Sequence, residues 1–584
     1  MIKAIGRYIF VLLTCLNFCV CDLSNWPWLS FQESVAVRGQ RDTSKNIPID
    51  QLTTLGVSLS SQLFDKKGYI NDTLSDIETL LNVGVQTLVV DIYWNEFIGV
   101  WQLCPAPLPK NQTQHLNEKH KLTWEGKTYT CQPTFTFNNL VGTINSYLSA
   151  SNLNLDLNLI QILLNLHSIH YKEDIKAKVN SSSVISLKEG YTLPTSISSQ
   201  LGNSTLSQDF LTFGSLTFTA NNLKSFQERY NTLLSFFNQS SIMFPSLQHF
   251  LFFEYQRIFV GINSNNLVNS SATYNFTTLD NNTFFSSERY FEPLPQTTFN
   301  RTLWDDCQNV LANFHNNENH IDYYNNLYLN THFRFVSDDD RYPFTNKSIQ
   351  DYVACGYSPI LNASKYTDVY EHKDSTSLGR IVNHFLPLSF WSWAANEPTH
   401  MESSGVNDEN TGNRAAFRCV AMTKDGFEVK NCYDSHSYAC QKYNEPNNWR
   451  IETKKLQYFE AFNSCLEGYS LGVPLLSVES LSLRNTMIRM NISRPIWVDM
   501  NDITVPGCFV TGGPYMECPY QKTVSKLKLV RLIAPGFVVS VVLLFLIFLE
   551  RFIRKNPIQS NRKRHWKKVI NEYYKDNDYE GVPS

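Results

Sequence analysis

The sequence carries no charge excess of either sign: 50 Lys and Arg stand against 53 Asp and Glu in 584 residues, for a net charge of −3. A surface that grips nucleic acid normally needs a basic surplus, so direct contact with nucleic acid is not expected. No Cys-x-x-Cys pair occurs, which deprives the cysteines of the usual metal-ligand spacing. No self-similar period of about 20–50 residues is visible, so solenoids and propellers drop out. Wholesale disorder is excluded by 38 Phe, 29 Tyr and 11 Trp. At roughly 150 residues per domain the length allows two to four domains. Charged residues make up only 18%, and Asn and Ser are abundant, which suits a chain of the secretory pathway.

Charge is also missing from two apolar stretches. Near the N-terminus, Lys3 and Arg7 precede an apolar run over 8–20. The run is short for a membrane span, which favours a cleaved signal peptide over 1–21 rather than an uncut anchor. Near the other end, 532–549 is free of charge and dense in Val, Leu, Ile and Phe. Hydrocarbon about 30 Å thick needs roughly 20 such residues in a helix, so this segment reads as a transmembrane helix. Arg551, Arg554, Lys555, Arg562, Lys563, Arg564, Lys567 and Lys568 follow at once, a positive flank that puts the tail over 550–584 in the cytosol. The tail either only sets this orientation or also attracts anionic lipid. The expected product is a single-pass type I membrane protein with a large lumenal or extracellular part, whose clearest partner is the lipid bilayer.

Twelve N-x-[ST] sequons fall between these segments, at Asn71, Asn111, Asn180, Asn203, Asn238, Asn269, Asn275, Asn281, Asn300, Asn346, Asn362 and Asn491, and none lies in the tail. Setting aside Cys15, Cys19 and Cys21, ten cysteines remain on the same side: Cys104, Cys131, Cys307, Cys355, Cys419, Cys432, Cys440, Cys465, Cys508 and Cys518. An even number in an oxidising compartment reads as disulfides, with Cys104–Cys131 and Cys508–Cys518 plausible as local pairs. Neither a cofactor nor a bound metal is expected.

The early region has α/β grammar. A strand-like run at 49–60 leads to an amphipathic helix at 74–83, stopped by Gly84, and then an apolar strand at 85–93. A helix at 141–150 and a strand at 155–166 follow, then a helix at 226–237 and a further strand within 247–260. Such alternation is the signature of a parallel sheet. The Ser/Asn/Thr-rich stretches 180–213 and 263–300 read as glycosylated insertions. After about residue 300 cysteines and tryptophans become denser. Short strands are expected at 390–393, 417–422, 437–442 and 495–499, with a helix at 458–467.

GVSLSSQLFD at 56–65, LVVDIYWN at 88–95 and VWQLCPAP from Val100 resemble the barrel of phosphatidylinositol-specific phospholipase C-like phosphodiesterases. The resemblance implies an α/β, TIM-barrel-like domain over 22–300. It also implies a histidine after the first strand and another at the end of the third element, which trade protons with the phosphodiester. The matching stretches read Ser60-Ser61-Gln62 and Leu103-Cys104-Pro105, so the barrel is expected to be degenerate. Asp91, Glu96 and His167, with His170 beyond it, end candidate barrel strands, where barrel active sites sit. They form the candidate pocket, and packing and loop capping are the other account of them.

FWSWAANEPT at 390–399, FRCVAM at 417–422, YACQ at 438–441 and IWVDMND at 496–502 resemble a C-type lectin-like domain in an unusual order. Two partial modules or one rearranged module would fit a disulfide-rich α+β domain over 301–525. Calcium in that fold needs several carboxylate and amide oxygens together. Glu397 matches one, but Thr399 stands where an Asn is expected, so calcium-dependent sugar binding is not expected. Across the whole chain, RDTSKNIPIDQLTTLGVSLSSQLFD at 41–65, DIYWNE, WQLCPAP, SFWSWAANEP and the terminal span with its basic tail resemble the fungal maintenance of telomere capping protein 6 family. That resemblance implies a glycosylated single-pass membrane protein with a role in telomere capping. A lumenal domain cannot touch chromosome ends, so the role is expected to be indirect. The leading expectation is a non-enzymatic membrane glycoprotein. The alternatives are a membrane-tethered hydrolase with a new residue set and a glycan or cell-wall receptor.

Overall fold

The computed structural model describes residues 29–95, 99–107, 118–151, 155–169, 192–201, 216–234, 244–267, 274–287, 332–367, 375–399, 416–519 and 526–576, with a few single positions between them. Glu96, His170, Cys307, the signal segment and six sequons (Asn111, Asn180, Asn203, Asn238, Asn269 and Asn300) lie outside the described residues. The chain divides into two units, 1–518 and 519–584.

The first unit opens on helix α1 (Phe31–Thr43). Ser30 caps it, accepting from the Glu33 N–H while the Glu33 carboxylate accepts from Ser30 N–H. Strand β1 (Gly56–Ser58) follows, then α2 (Leu74–Asn82), β2 (Thr87–Asn95) and the short β3 (Val100–Gln102). A hairpin, β4 (His120–Trp124) and β5 (Lys127–Cys131), precedes α3 (Phe137–Ala150), β6 (Ile160–Ile169) and α4 (Leu193–Leu201). Then come β7 (Thr217–Phe218), α5 (Ala220–Leu234), β8 (Ile258–Asn266), β9 (Phe285–Ser286), β10 (Phe335–Ser337), α6 (Asn346–Ala354), β11 (Ser358–Leu361) and α7 (Leu378–Phe385).

Apart from the β4–β5 hairpin, which is a sheet of its own, these strands form one sheet in the order β10-β11-β1-β2-β6-β8-β7, with β9 also on β8. Every pair along it is parallel; only β3, folded back on β2, is antiparallel. Strands β2 and β6 are buried along most of their length, as apolar runs covered on both faces should be. Gly84, at φ 103°, turns the chain from α2 into β2. Gly56 lets β1 squeeze between its neighbours: a Cβ there would stand 2.8 Å from Ile360 Cγ1 and 3.0 Å from Thr87 Cβ.

The expected boundary at residue 300 is corrected here, because β10 and β11 complete the parallel sheet on the far side of β1. The expected third element is corrected as well. The chain at 100–102 is an antiparallel edge, and the third strand counted outward from β1 is β6, which carries His167.

The C-terminal part of this unit is a second sheet of six strands. It comprises β12 (Phe417–Met422), β13 (Phe427–Asn431), β14 (His436–Lys442), β15 (Glu445–Leu456), β16 (Tyr469–Leu471) and β17 (Ile496–Asn501), ordered β13-β12-β17-β14-β15 with β16 on β14. Helix α8 (Ser477–Arg489) packs on it. Trp497, fully buried, donates its ring N–H to the Leu456 carbonyl at 2.9 Å. The strand expected at 390–393 is reduced to one parallel bridge, Trp393 with Phe427, because just before it the Gln40 side-chain oxygen takes up Trp391 N–H (3.1 Å) and the Ser392 hydroxyl (2.9 Å). The helix expected at 458–467 is one turn, Tyr458–Ala461. Val35 and Ala36 of α1 join the core of this second sheet rather than that of the barrel.

Among the described residues, four disulfides join Cys104–Cys131, Cys419–Cys432, Cys440–Cys465 and Cys508–Cys518. Cys355 is disulfide-bonded too. The second unit is helix α9 (Lys526–Asp576). Within it Ala534–Arg551 is long and apolar enough to cross a membrane, and none of that window is buried.

Candidate functional site

Parallel barrels gather functional groups where their strands end, because the loops there face one another. Alternation along a strand sends Asp91 and Tyr93 of β2 to one face, and Asn165 and His167 of the neighbouring β6 pair with them in register. The result is a polar cluster. His167 Nε2 stands 3.0 Å from Asp91 Oδ1, and Asn165 donates its amide to the same oxygen at 2.9 Å. The imidazole stacks on Tyr93, centroids 5.0 Å apart. The register slips between β6 and β8 just at Asn165. This irregularity lets both the Asn263 amide (2.6 Å) and the Ser264 hydroxyl (3.0 Å) donate to the Asn165 side-chain oxygen Oδ1.

Burial alone would raise the Asp91 carboxyl. Hydrogen bonds led by that from His167 outweigh it, so the group is held below the ordinary carboxylate range. Asp91 is therefore an anion at neutral pH, fixing an N–H on the facing nitrogen of His167. Burial, then the Asp91 charge, drives the Tyr93 phenol far up, so it remains a neutral hydroxyl. This arrangement supplies one oriented imidazole.

Across the mouth, the segment after β1 is spent on internal bonds. Ser61 donates to Asn362 Oδ1 at 2.9 Å, and Gln62 donates to the Ala363 carbonyl while accepting from Lys66. Asp338, following β10, accepts from the backbone N–H groups of Asn362 (2.6 Å), Phe344 (2.9 Å) and Ala363 (3.1 Å). Burial outweighs these bonds and lifts its carboxyl to about 6. Sequence reasoning missed Asn165, Asn263 and Asp338, and read Asn362 only as a sequon. The available signal was an Asn or Asp at the polar end of each apolar run.

Of the expected pocket residues, the structure brings Asp91 and His167 together. A cavity of about 370 Å³ lies elsewhere, at the starts of the strands, lined by Leu55, Gly84 and Leu157 with Arg38, Arg41 and Trp391. In the second sheet, the Glu397 carboxylate is occupied by Thr399 N–H (2.9 Å), the Thr399 hydroxyl (3.1 Å) and Val429 N–H (3.3 Å). Among the described residues, no group of three or more His, Cys, Asp and Glu side chains could hold a metal ion.

The described sequons differ in accessibility. Asn275, Asn281, Asn346 and Asn491 are exposed. The amide nitrogens of half-buried Asn71 and Asn362 instead donate to Thr134 Oγ1 (2.9 Å) and to the Asp338 carbonyl (3.3 Å).

Fold and mouth together define a partial TIM barrel with a polar, largely self-satisfied rim. A family model described as the MTC6 partial TIM-barrel domain matches residues 27–378. The chain belongs to the maintenance of telomere capping protein 6 family. Proteins of that name from Debaryomyces hansenii and Candida tropicalis are each 42% identical to it, covering 98% and 97% of this chain and the same shares of their own lengths. The one from Komagataella phaffii is 28% identical over 98% of this chain and 99% of its own. Among solved structures, a mutant phosphatidylinositol-specific phospholipase C from Staphylococcus aureus aligns over 61% of this chain and 98% of its own, at 10% identity and a TM-score of 0.23.

Proposed function

We propose that the chain is a non-enzymatic, single-pass type I membrane glycoprotein whose partial barrel and C-terminal sheet face the lumen or the exterior. The observation that carries this reading is the make-up of the barrel mouth. Phosphodiester cleavage through two imidazoles needs a base for the attacking hydroxyl and an acid for the leaving oxygen. His167 with Asp91 offers one such group. The position after β1 holds Ser61 and Gln62, whose polar atoms are engaged with Asn362, Ala363 and Lys66. Turnover of phosphatidylinositol by the purified chain is the chemical test, and none above the blank is expected.

The membrane part rests on Ala534–Arg551, apolar and unburied, followed by the basic tail. Endoglycosidase treatment of membrane fractions should lower the apparent mass by many kDa, and added protease should clip the tail of intact vesicles. An unchanged mass or a protected tail would contradict this orientation. The C-terminal sheet reads as a single rearranged lectin-like module. In support, β12, β14 and β17, which hold the lectin-like stretches, lie side by side in one sheet. The relatives' name refers to telomere capping, and that role would reach this chain indirectly, from across a membrane.

A further inference from the structure

We infer that the C-terminal sheet domain carries a carbohydrate-binding aromatic site formed by Tyr433, Phe459 and Tyr515. The Phe459 ring lies between the two tyrosines, its centroid 5.8 Å from Tyr433 and 6.2 Å from Tyr515. Tyr433 is 61% and Tyr515 74% exposed, although aromatic rings gain most from burial.

The two tyrosines stand in water, Phe459 is half-buried against the core of the sheet, and all three sit on a rigid base. Tyr433 follows Cys432 of the Cys419–Cys432 disulfide, and its N–H is held by Asn431 Oδ1 at 3.0 Å. Phe459 follows Tyr458, which is fully buried and packed edge-on against Trp497. Tyr515 lies inside the loop closed by Cys508–Cys518. Two residues earlier, Gly513 is fixed by an N–H bond to Asp499 (3.0 Å) and a carbonyl bond from Asn501 (2.9 Å). A binding surface fixed before its ligand arrives loses little entropy on binding.

The chemistry favours a neutral sugar. One face of a pyranose ring presents only C–H groups, which meet the electron-rich face of an aromatic ring, while the hydroxyls at its edge need polar partners. Exposed Asp434, Glu460 and Glu517 border the rings in sequence and offer acceptors, while their charge disfavours anionic ligands. A protein partner needs more room. Each ring can cover at most about 150–250 Å², and all three fall short of the roughly 800 Å² per partner of a stable protein interface. The site is separate from the Glu397 loop and needs no metal. It rests on the proposed orientation only in requiring this domain to lie outside the cytosol.

The test is calorimetry on the detergent-solubilised full chain with three neutral probes: laminarihexaose, chitohexaose and mannohexaose. At least one should bind, and Tyr433→Ala and Tyr515→Ala should each weaken it about five- to tenfold. Tyr433→Phe should stay within about twofold. Tyr443→Ala, at another exposed tyrosine in the β14–β15 turn, should change nothing. Saturation-transfer NMR on the unaltered chain should show the sugar C–H protons, not the hydroxyl edge, closest to protein, a readout that needs no variant. No binding by any probe, binding indifferent to both tyrosines, or a tyrosine-dependent protein partner without sugar binding would each overturn the proposal. These outcomes are read on purified protein, so they are separate from the endoglycosidase and protease tests of orientation.

Discussion

Replacing Glu479 by Gln should stabilise the protein, and by an amount that depends on pH in a defined way. Glu479 sits in the first turn of α8 and is 2% exposed, with its carboxyl accepting Leu475 N–H at 2.7 Å. Burial outweighs that single hydrogen bond and lifts the group from 4.5 to about 8. A carboxyl whose folded pKa is raised contributes stability fully below its unfolded value, about pH 4.5, and loses it as pH climbs to about 8. Each unit corresponds to about 1.4 kcal/mol, so the roughly 2.5 units between pH 4.5 and pH 7 cost the native protein about 3 kcal/mol. Glutamine keeps the acceptor for Leu475 and has no charge to neutralise. Its advantage over the native residue should therefore grow by about 3 kcal/mol from pH 4.5 to pH 7. Urea melts of both proteins at pH 4.5, 5.5 and 7, with disulfides intact, measure this directly. A difference that is flat with pH, or that moves against Gln as pH rises, would refute the reasoning.

Arg257→Met should cost at least about 3 kcal/mol in the same melts, because the nearly buried guanidinium satisfies the Leu148 and Ser151 carbonyls, the Ser151 hydroxyl and Asn158 at 2.8–3.0 Å. Removing the Cys104–Cys131 disulfide as a double Ser variant opens a loop spanning 27 residues and should lower stability by about 3–4 kcal/mol, seen as a lower urea midpoint. Asn346→Gln and Asn491→Gln should each raise electrophoretic mobility by one glycan, since both sequons are exposed. Asn362→Gln should leave mobility unchanged, because that amide is tied to the Asp338 carbonyl.

The strand–helix–strand core was legible because its signals are local. The Val- and Leu-rich run of β2, the 3–4 spacing of Ile77, Leu80 and Leu81 in α2, and the stop at Gly84 need no distant partner to be read. The local disulfides Cys104–Cys131 and Cys508–Cys518 were legible for the same reason. What escaped depends on partners far along the chain. β11 completes the sheet by lying beside Gly56 some 300 residues earlier, and α1 lends Val35 to a core otherwise built after residue 390. At the mouth, Asp91 and His167 were each visible as polar residues at the end of apolar runs. Their meeting depends on the β2–β6 register, which no local pattern encodes. The same register moved His167 onto the third strand, a place sequence matching had given to Cys104.

Among the described residues, Asp91 orients one imidazole, His167, and the stretch after β1 supplies no second one to work with it. The most direct measurement is turnover of phosphatidylinositol and glycerophosphodiesters by the purified full chain, run beside Asp91→Asn and His167→Ala. All three proteins should release product no faster than the blank. Release by the native chain that disappears in either variant would contradict it and make the mouth an active site.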